Sequence, residues 1–221
     1  MSCGYGQASV IHDLSLHVET GEVVALLGRN GAGKTTFLHG LAGLLPSTGT
    51  VRLAGIDITN WPGHRIYSRG MALVPQEHIV FPGLTVAEHL KLAQHKTAGE
   101  QGLEPVFDLF PVLHQRLDQA ADTLSGGERK MLGIGQALAV EPSLILMDEP
   151  TEGVAPVVVE QLISAIEQLS QTSAVLLVEQ NLDTALAVGS RGYVLEHRTV
   201  AVSGDLAELH ASGQLQKKLA V

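Results

Sequence analysis

The segment that most restricts this chain is Val23-Val24-Ala25-Leu26-Leu27, followed at once by Gly28-Arg29-Asn30-Gly31-Ala32-Gly33-Lys34-Thr35. An uninterrupted apolar run that opens on β-branched residues predicts a strand buried on both faces, which requires a sheet covered by helices. The octet fits G-x-x-x-x-G-K-[ST], and Thr35 to Leu45 reads as a helix stopped by Pro46. Strand, glycine loop and helix in that order make an anion cradle. Glycines let backbone N–H groups turn toward phosphate oxygens, and the helix N-terminus adds about half a positive charge. Gly28, Asn30, Gly31 and Gly33 form this loop. Lys34 supplies a point charge for the β- and γ-phosphates, the Thr35 hydroxyl is placed for Mg2+, and Thr36 follows in the first turn. A glycine-rich turn without a ligand is the plain alternative, and the flanking strand and helix weigh against it.

Strand and helix patterns alternate through most of the remaining chain, the signature of an α/β fold with a mostly parallel sheet. Thr50 to Ala54 predicts a half-buried strand, and Met71 to Val74 a short one ended by Pro75. Leu144 to Met147 and Ala174 to Val178 predict two more, with helices following at Pro156 to Ser170 and Leu182 to Val188. A short β-pair, Tyr193 to Leu195 with Val200 to Val202, closes the core. Between about Thr85 and Val140 the pattern is helical, with Thr97 to Gly102 as its loop. The chain therefore reads as one domain over 1–221. Its core with a small antiparallel β part occupies 1–84 and 142–221, and an α-helical subdomain is inserted from about 85 to 141.

Composition removes several classes of function. Fourteen Lys and Arg against 23 Asp and Glu give a net charge of −9, which argues against a nucleic-acid partner met through a broad basic face. Cys3 is the only cysteine, so no internal disulfide forms and a reducing compartment is expected. Met1 to Val10 has neither the basic nor the apolar region of a signal peptide. The Val23–Leu27 run is far below the ~20 residues needed to cross a bilayer. Any membrane association must come through a partner. The histidines show no i,i+4 pairing of the kind a zinc site uses.

Two further motifs complete the chemistry. Leu144 to Met147 leads directly into Asp148-Glu149, and acids at the C-terminal end of a buried strand sit where such sheets place ligands. Asp148 suits Mg2+, and Glu149 is then free to polarise an attacking water. Leu124-Ser125-Gly126-Gly127-Glu128 reads locally as a helix N-cap, with Ser125 capping and Glu128 at the third position after it. That pentapeptide is also where the chain resembles the ATP-binding cassette (ABC) family. The resemblance runs over essentially the whole chain, with the motifs in the family's order, and it implies a P-loop NTPase core.

The resemblance implies further roles. Tyr5 looks like the aromatic that stacks on adenine, with the first strand before it shortened. Gln76 looks like the glutamine that contacts Mg2+ and the attacking water and links core to helical subdomain. Ser125, Gly126 and Gly127 would contact the γ-phosphate of ATP held by the other protomer, so that the working unit is a homodimer or a heterodimer with a second ATPase subunit. Two positions depart from the family pattern. The switch histidine falls at Gln180, whose amide donates to a γ-phosphate but gains no charge near neutral pH. The aspartate of the loop before the next helix falls at Ala155. Both departures resemble the ATPase subunits of branched-chain amino-acid importers and of related urea and amide importers, as do Asp148 to Gly153, Val178 to Asn181 and Phe81 to Val86.

The expected function is therefore a Mg2+-dependent ATPase subunit. It is placed on the inner face of the cell membrane through transmembrane permease subunits, and it acts indirectly with a solute-binding protein. Glu149 is the expected base, assisted by Gln76 and Gln180. A soluble ABC protein would carry a coiled-coil insertion, a second cassette or a basic face, none of which is present, and a catalytically dead scaffold would not need Lys34, Asp148 and Glu149. Ile79, Val80, Phe81, Pro82 and Leu84 place five apolar residues in six positions beside Gln76, which suggests a groove for a permease helix. Packing of Phe81 between subdomain and core is the alternative.

Overall fold

The Val23 run forms β3 (Val23–Gly28), with all its residues buried. The structure is a computed structural model that describes residues 1–6, 8–94 and 100–219. β3 lies inside a six-stranded sheet with β7 (Met71–Val74), β8 (Leu144–Asp148), β9 (Ala174–Glu179), β10 (Arg191–Glu196) and β11 (Thr199–Asp205), in the order β11-β10-β3-β9-β8-β7. All neighbours are parallel except β10 and β11. The closing β-pair is thus an extension of the main sheet through β10, and it is longer than its sequence pattern suggested.

Strand alternation sorts the core into two layers. Ile145, Met147, Val175 and Leu177 face one side, packed with Leu162, Ala165, Ile166 and Leu169 of α7 (Pro156–Ser170). Leu146, Leu176, Val24 and Leu26 face the other, packed with Phe37 and Leu38 of α1 (Lys34–Leu41). Truncating one such leucine to alanine costs about 2–5 kcal/mol, because the cavity adds to the lost transfer energy. A third cluster joins Ala25 and Leu27 to α8 (Leu182–Val188), α9 (Leu206–Ala211) and α10 (Gln214–Leu219).

α1 ends earlier than Pro46 demands. The N–H groups of Leu44 and Leu45 both reach back to the His39 carbonyl, at 2.9 and 3.3 Å, and turn the chain. The strand expected over Thr50 to Ala54 shrinks to β5 (Arg52–Leu53), paired with β6 (Ile56–Asp57). Val51 is lost to it because its N–H donates to the Thr59 hydroxyl at 2.9 Å. A separate antiparallel sheet of β1 (Ser2–Tyr5), β2 (Ala8–Ile11) and β4 (Ser47–Thr48) packs beside α1. A five-residue helix, α2 (Gly63–Tyr67), precedes β7.

Between β7 and β8 the described residues are helical: α3 (Val86–Ala93), α4 (Glu104–Leu109), α5 (Pro111–Gln115) and α6 (Gly126–Leu138). α3 and α6 each begin in a capping box, Thr85 with Glu88 and Ser125 with Glu128. Of the loop expected over Thr97 to Gly102, positions 97–99 lie outside the described residues, and Glu100–Leu103 forms a 3-10 turn. Among the described residues no helix is long and apolar enough to cross a membrane.

Candidate active site

Strand register brings the predicted residues to one edge. Leu27 pairs with Glu179 across β3 and β9, and Asp148 pairs with Val178 across β8 and β9. The phosphate loop, the Asp148-Glu149 pair and Gln180 therefore leave the sheet side by side at its C-terminal end, where α1 begins. Gly33 caps α1 at φ 102°, and a Cβ there would stand 2.5 Å from Ile11 Cδ1, so only glycine fits. Gly28 is buried, while Asn30 and Gly31 are exposed at the loop's tip. Thr36 is buried, and its carbonyl lies 3.5 Å from Cys3 Sγ of β1.

Lys34 is 4% exposed. Its Nζ donates to the Gly28 and Arg29 carbonyls at 2.9 and 3.4 Å and pairs with Glu149 Oε1 at 3.0 Å. Asp148 is buried next to it, and its Oδ1 has no hydrogen-bond partner. Burial pushes its carboxyl up, the Thr35 side chain pulls it down, and the charge of Glu149 raises it further; the net shift is upward. A buried carboxylate oxygen without a donor costs stability unless something else fills that need. A hard cation held by Asp148 and the Thr35 hydroxyl would do so, and these oxygen ligands suit Mg2+.

Glu149 takes φ 45°, a left-handed backbone uncommon outside glycine. Its N–H donates to the Val178 carbonyl at 2.9 Å, and its own carbonyl accepts from Lys130 Nζ at 3.2 Å. Glu179 closes the site on the far side. Its carboxylate accepts from the Thr151 hydroxyl at 2.8 Å, the Thr151 amide at 3.3 Å, and the amides of Gln180 and Asn181 at 3.2 and 3.4 Å. Burial nonetheless holds its pKa above the usual carboxylate range.

The other predicted residues divide by location. Gln76 follows β7, and its side-chain amide is engaged by the Glu152 carboxylate. Gln180 is exposed beside the loop, and Asn181, not Gln180, caps α8. Tyr5 is 51% exposed at the end of β1. Ser125 caps α6 through its hydroxyl, which accepts from the Glu128 amide at 3.3 Å, and Gly126 is exposed. Ala155 begins α7 with no side-chain cap, and Val157 just after it is exposed. The apolar stretch beside Gln76 does not form one groove. Ile79 sits against Gly133 and Val80 packs on the core, whereas Phe81 is 61% exposed, with its ring stacked on His89 of α3 and its N–H donating to His89 Nε2 at 2.7 Å.

Sequence reasoning missed Lys130 and the role of Glu179. Each left a signal. Gly127, Lys130, Met131 and Ile134 form an i, i+3, i+4, i+7 stripe, all buried, so a lysine occupies a core position of α6. Glu179 ends the apolar Ala174–Val178 run just as Asp148 ends Leu144–Met147.

Comparison with known proteins agrees on the family, while the relatives' named cargoes differ. The family model for ABC transporters matches residues 11–152. The high-affinity branched-chain amino acid transport ATP-binding protein BraG of Pseudomonas aeruginosa is 40% identical over 207 residues, which cover 91% of this chain and 89% of BraG. A probable branched-chain amino acid transport ATP-binding protein, LivF of Archaeoglobus fulgidus, is 33% identical over 98% of this chain and 94% of its own. The lipopolysaccharide export system ATP-binding protein LptB of Escherichia coli is 35% identical over 93% of this chain and 88% of its own. Among solved structures, an ATP-binding subunit of an ABC transporter superposes with a TM-score of 0.83 at 29% identity, covering 99% of this chain and 94% of that one.

Proposed function

Because this chain belongs to the ABC transporter family, as an ATP-hydrolysing subunit, we propose that it powers uptake of branched-chain amino acids through transmembrane permease subunits. The observation that carries the chemistry is the meeting of Lys34, Thr35, Asp148 and Glu149 at one sheet edge, with Asp148 Oδ1 left without a partner. Lys34 and the loop amides hold the β- and γ-phosphates of ATP, and Tyr5 presents its exposed ring to adenine. Thr35 and Asp148, with Gln76, would hold Mg2+, which supplies charge neutralisation on the phosphates when bound. Water attacks the γ-phosphorus, the β–γ bridge bond breaks, and the proton of the water passes to Glu149. ADP and phosphate leave. Gln180 donates one amide hydrogen bond to the γ-phosphate. Positioning and charge neutralisation supply most of the rate enhancement in such transfers.

A second nucleotide contact comes from another subunit in this reading. Gly126 supports it. A Cβ at Gly126 would meet nothing within 4 Å, so the chain's own packing gives no reason for glycine there, and alanine would favour the helix. Close approach from outside the chain is the remaining use for that bare backbone. We read 85–141 as the subdomain that carries this signature turn. The exposed Phe81 is the apolar contact offered to a permease, and that docking places the subunit at the inner membrane face.

The solute is the branched-chain amino acid named for BraG and LivF, and urea or a short amide is the rival that this subgroup allows. The test is reconstitution with a candidate permease and solute-binding protein. Mg2+-dependent ATP hydrolysis stimulated by leucine, isoleucine or valine supports the proposal. Stimulation by urea or a short amide alone overturns the solute, and hydrolysis unaffected by chelation overturns the metal.

A further inference from the structure

A buried lysine that the hydrolysis scheme does not use lies directly beneath the site. Lys130 sits one turn into α6 and is 7% exposed. Burial pushes its pKa down, against the pull of the Glu152, Glu179, Asp148 and Glu149 carboxylates. Among the described residues it forms no ion pair. Its Nζ donates instead to two backbone carbonyls, that of Gln76 at 2.9 Å and that of Glu149 at 3.2 Å. Burying an ammonium group costs several kcal/mol, so an apolar side chain would serve α6 better if packing were its only task.

The two carbonyls belong to the residues that matter most to the water. Glu149 carries the base and stands in a left-handed conformation, which is strained in a non-glycine residue. Its N–H is fixed by Val178, and its carbonyl is fixed by Lys130. Gln76 follows the edge strand β7, and its side chain faces Glu152. The lysine itself is five residues along from Ser125, the cap of the signature turn. One ammonium therefore joins three segments that are far apart in sequence: the edge-strand loop, the turn after β8, and the first part of α6.

We propose that Lys130 is a positioning residue for ATP hydrolysis, pinning the backbone of Glu149 and of Gln76 to the helix that carries the signature turn. A displacement of α6 is then transmitted to the base through one side chain. The inference rests on Glu149 acting as the base, so its test runs Glu149→Gln alongside.

The experiment measures kcat and KM for ATP in Lys130→Met and Lys130→Gln subunits, assembled with their permease. Met keeps the length and removes the donors, while Gln keeps a donor and removes the charge. The expected result is a kcat at least tenfold lower in Lys130→Met with KM within twofold of wild type, and recovery to within about threefold of wild type in Lys130→Gln. Hydrogen exchange of the Gln76 and Glu149 segments should speed up in Lys130→Met while that of β9 does not. If Lys130→Met does not yield folded protein, Lys130→Ala is read by the same criteria. A wild-type kcat in the donor-free variant, or a glutamine variant as slow as it, overturns the proposal. A Glu149→Gln subunit with wild-type turnover instead removes the premise, and that outcome is distinguishable because it does not involve Lys130.

Discussion

Arg191 and Glu22 meet where the strands of the main sheet begin; Lys34 and Glu149 meet where they end. At the first site the guanidinium grips both Glu22 oxygens, at 2.8 and 2.9 Å, and also donates to the His17 carbonyl at 2.9 Å and the Tyr193 hydroxyl at 3.0 Å. Every donor nitrogen of Arg191 has a use inside the chain. At the second site the pair is more deeply buried, yet Asp148 Oδ1 beside it has no partner and Glu149 is held in a left-handed backbone. The two ends each carry one ion pair at opposite ends of the same sheet. The satisfied end adds stability, whereas the end with unmet bonding capacity is the one proposed to take a ligand.

The sharpest way to break this contrast is to swap the expected phenotypes. Glu149→Gln keeps shape and removes the proposed base. Turnover should fall by about 10²–10⁴-fold while ATP binding, measured by calorimetry, persists. Arg191→Ala, at the opposite end, should leave turnover within twofold. Equal losses in both variants would show that the two ends do not differ in kind.

Lys34→Ala tests whether the buried pair exists for the ligand. Losing a charge-assisted bond of about 1.5–3 kcal/mol should weaken ADP binding roughly ten- to hundredfold. Gln180→Ala separates the γ-phosphate from the rest of the cradle: turnover should drop about tenfold, with ADP affinity unchanged because ADP has no γ-phosphate. Unaltered hydrolysis in that variant, assayed with permease present, would reduce Gln180 to a surface residue.

The smallest effect belongs to the satisfied end. Arg191→Ala should cost about 1–2 kcal/mol, since the pair is partly solvated, and lower Tm by roughly 2–8 °C. Its pH dependence has a definite sign. The bond from Arg191 holds the Glu22 carboxyl below the usual range. The stabilisation is complete above the ordinary glutamate pKa of about 4.3 and is lost as pH falls through the lower folded value. Thermal melts of wild type and variant should therefore converge only in acid.

How much of this was legible in the sequence depends on how local each signal was. The phosphate loop, the two acids at the end of β8, α7 and α8 were all marked by contiguous residues, and α7 and α8 span the expected residues, Pro156–Ser170 and Leu182–Val188. The short strands β1, β2 and β4 gave no pattern, because two to four residues with glycine and serine among them are held by pairing and not by propensity. The stretch from Ile79 to Leu84 was read as one surface, yet Gly133 leaves room on α6 for Ile79, so the outward-facing part is Phe81. That division depends on a glycine more than fifty positions away. Lys130 was hidden for the opposite reason: its charge suggested solvent, and its helical period placed it in the core.

Under the proposed roles, the Lys34–Glu149 pair also sets an order of events. Neither partner performs its assigned task while it holds the other, since Lys34 must face phosphate and Glu149 must face water. An arriving γ-phosphate offers Lys34 a second anion in the same dry surroundings, so the ammonium exchanges one partner for another without crossing into solvent. Under the proposed roles the fuel itself parts the pair, and an idle subunit keeps Lys34 and Glu149 engaged with each other.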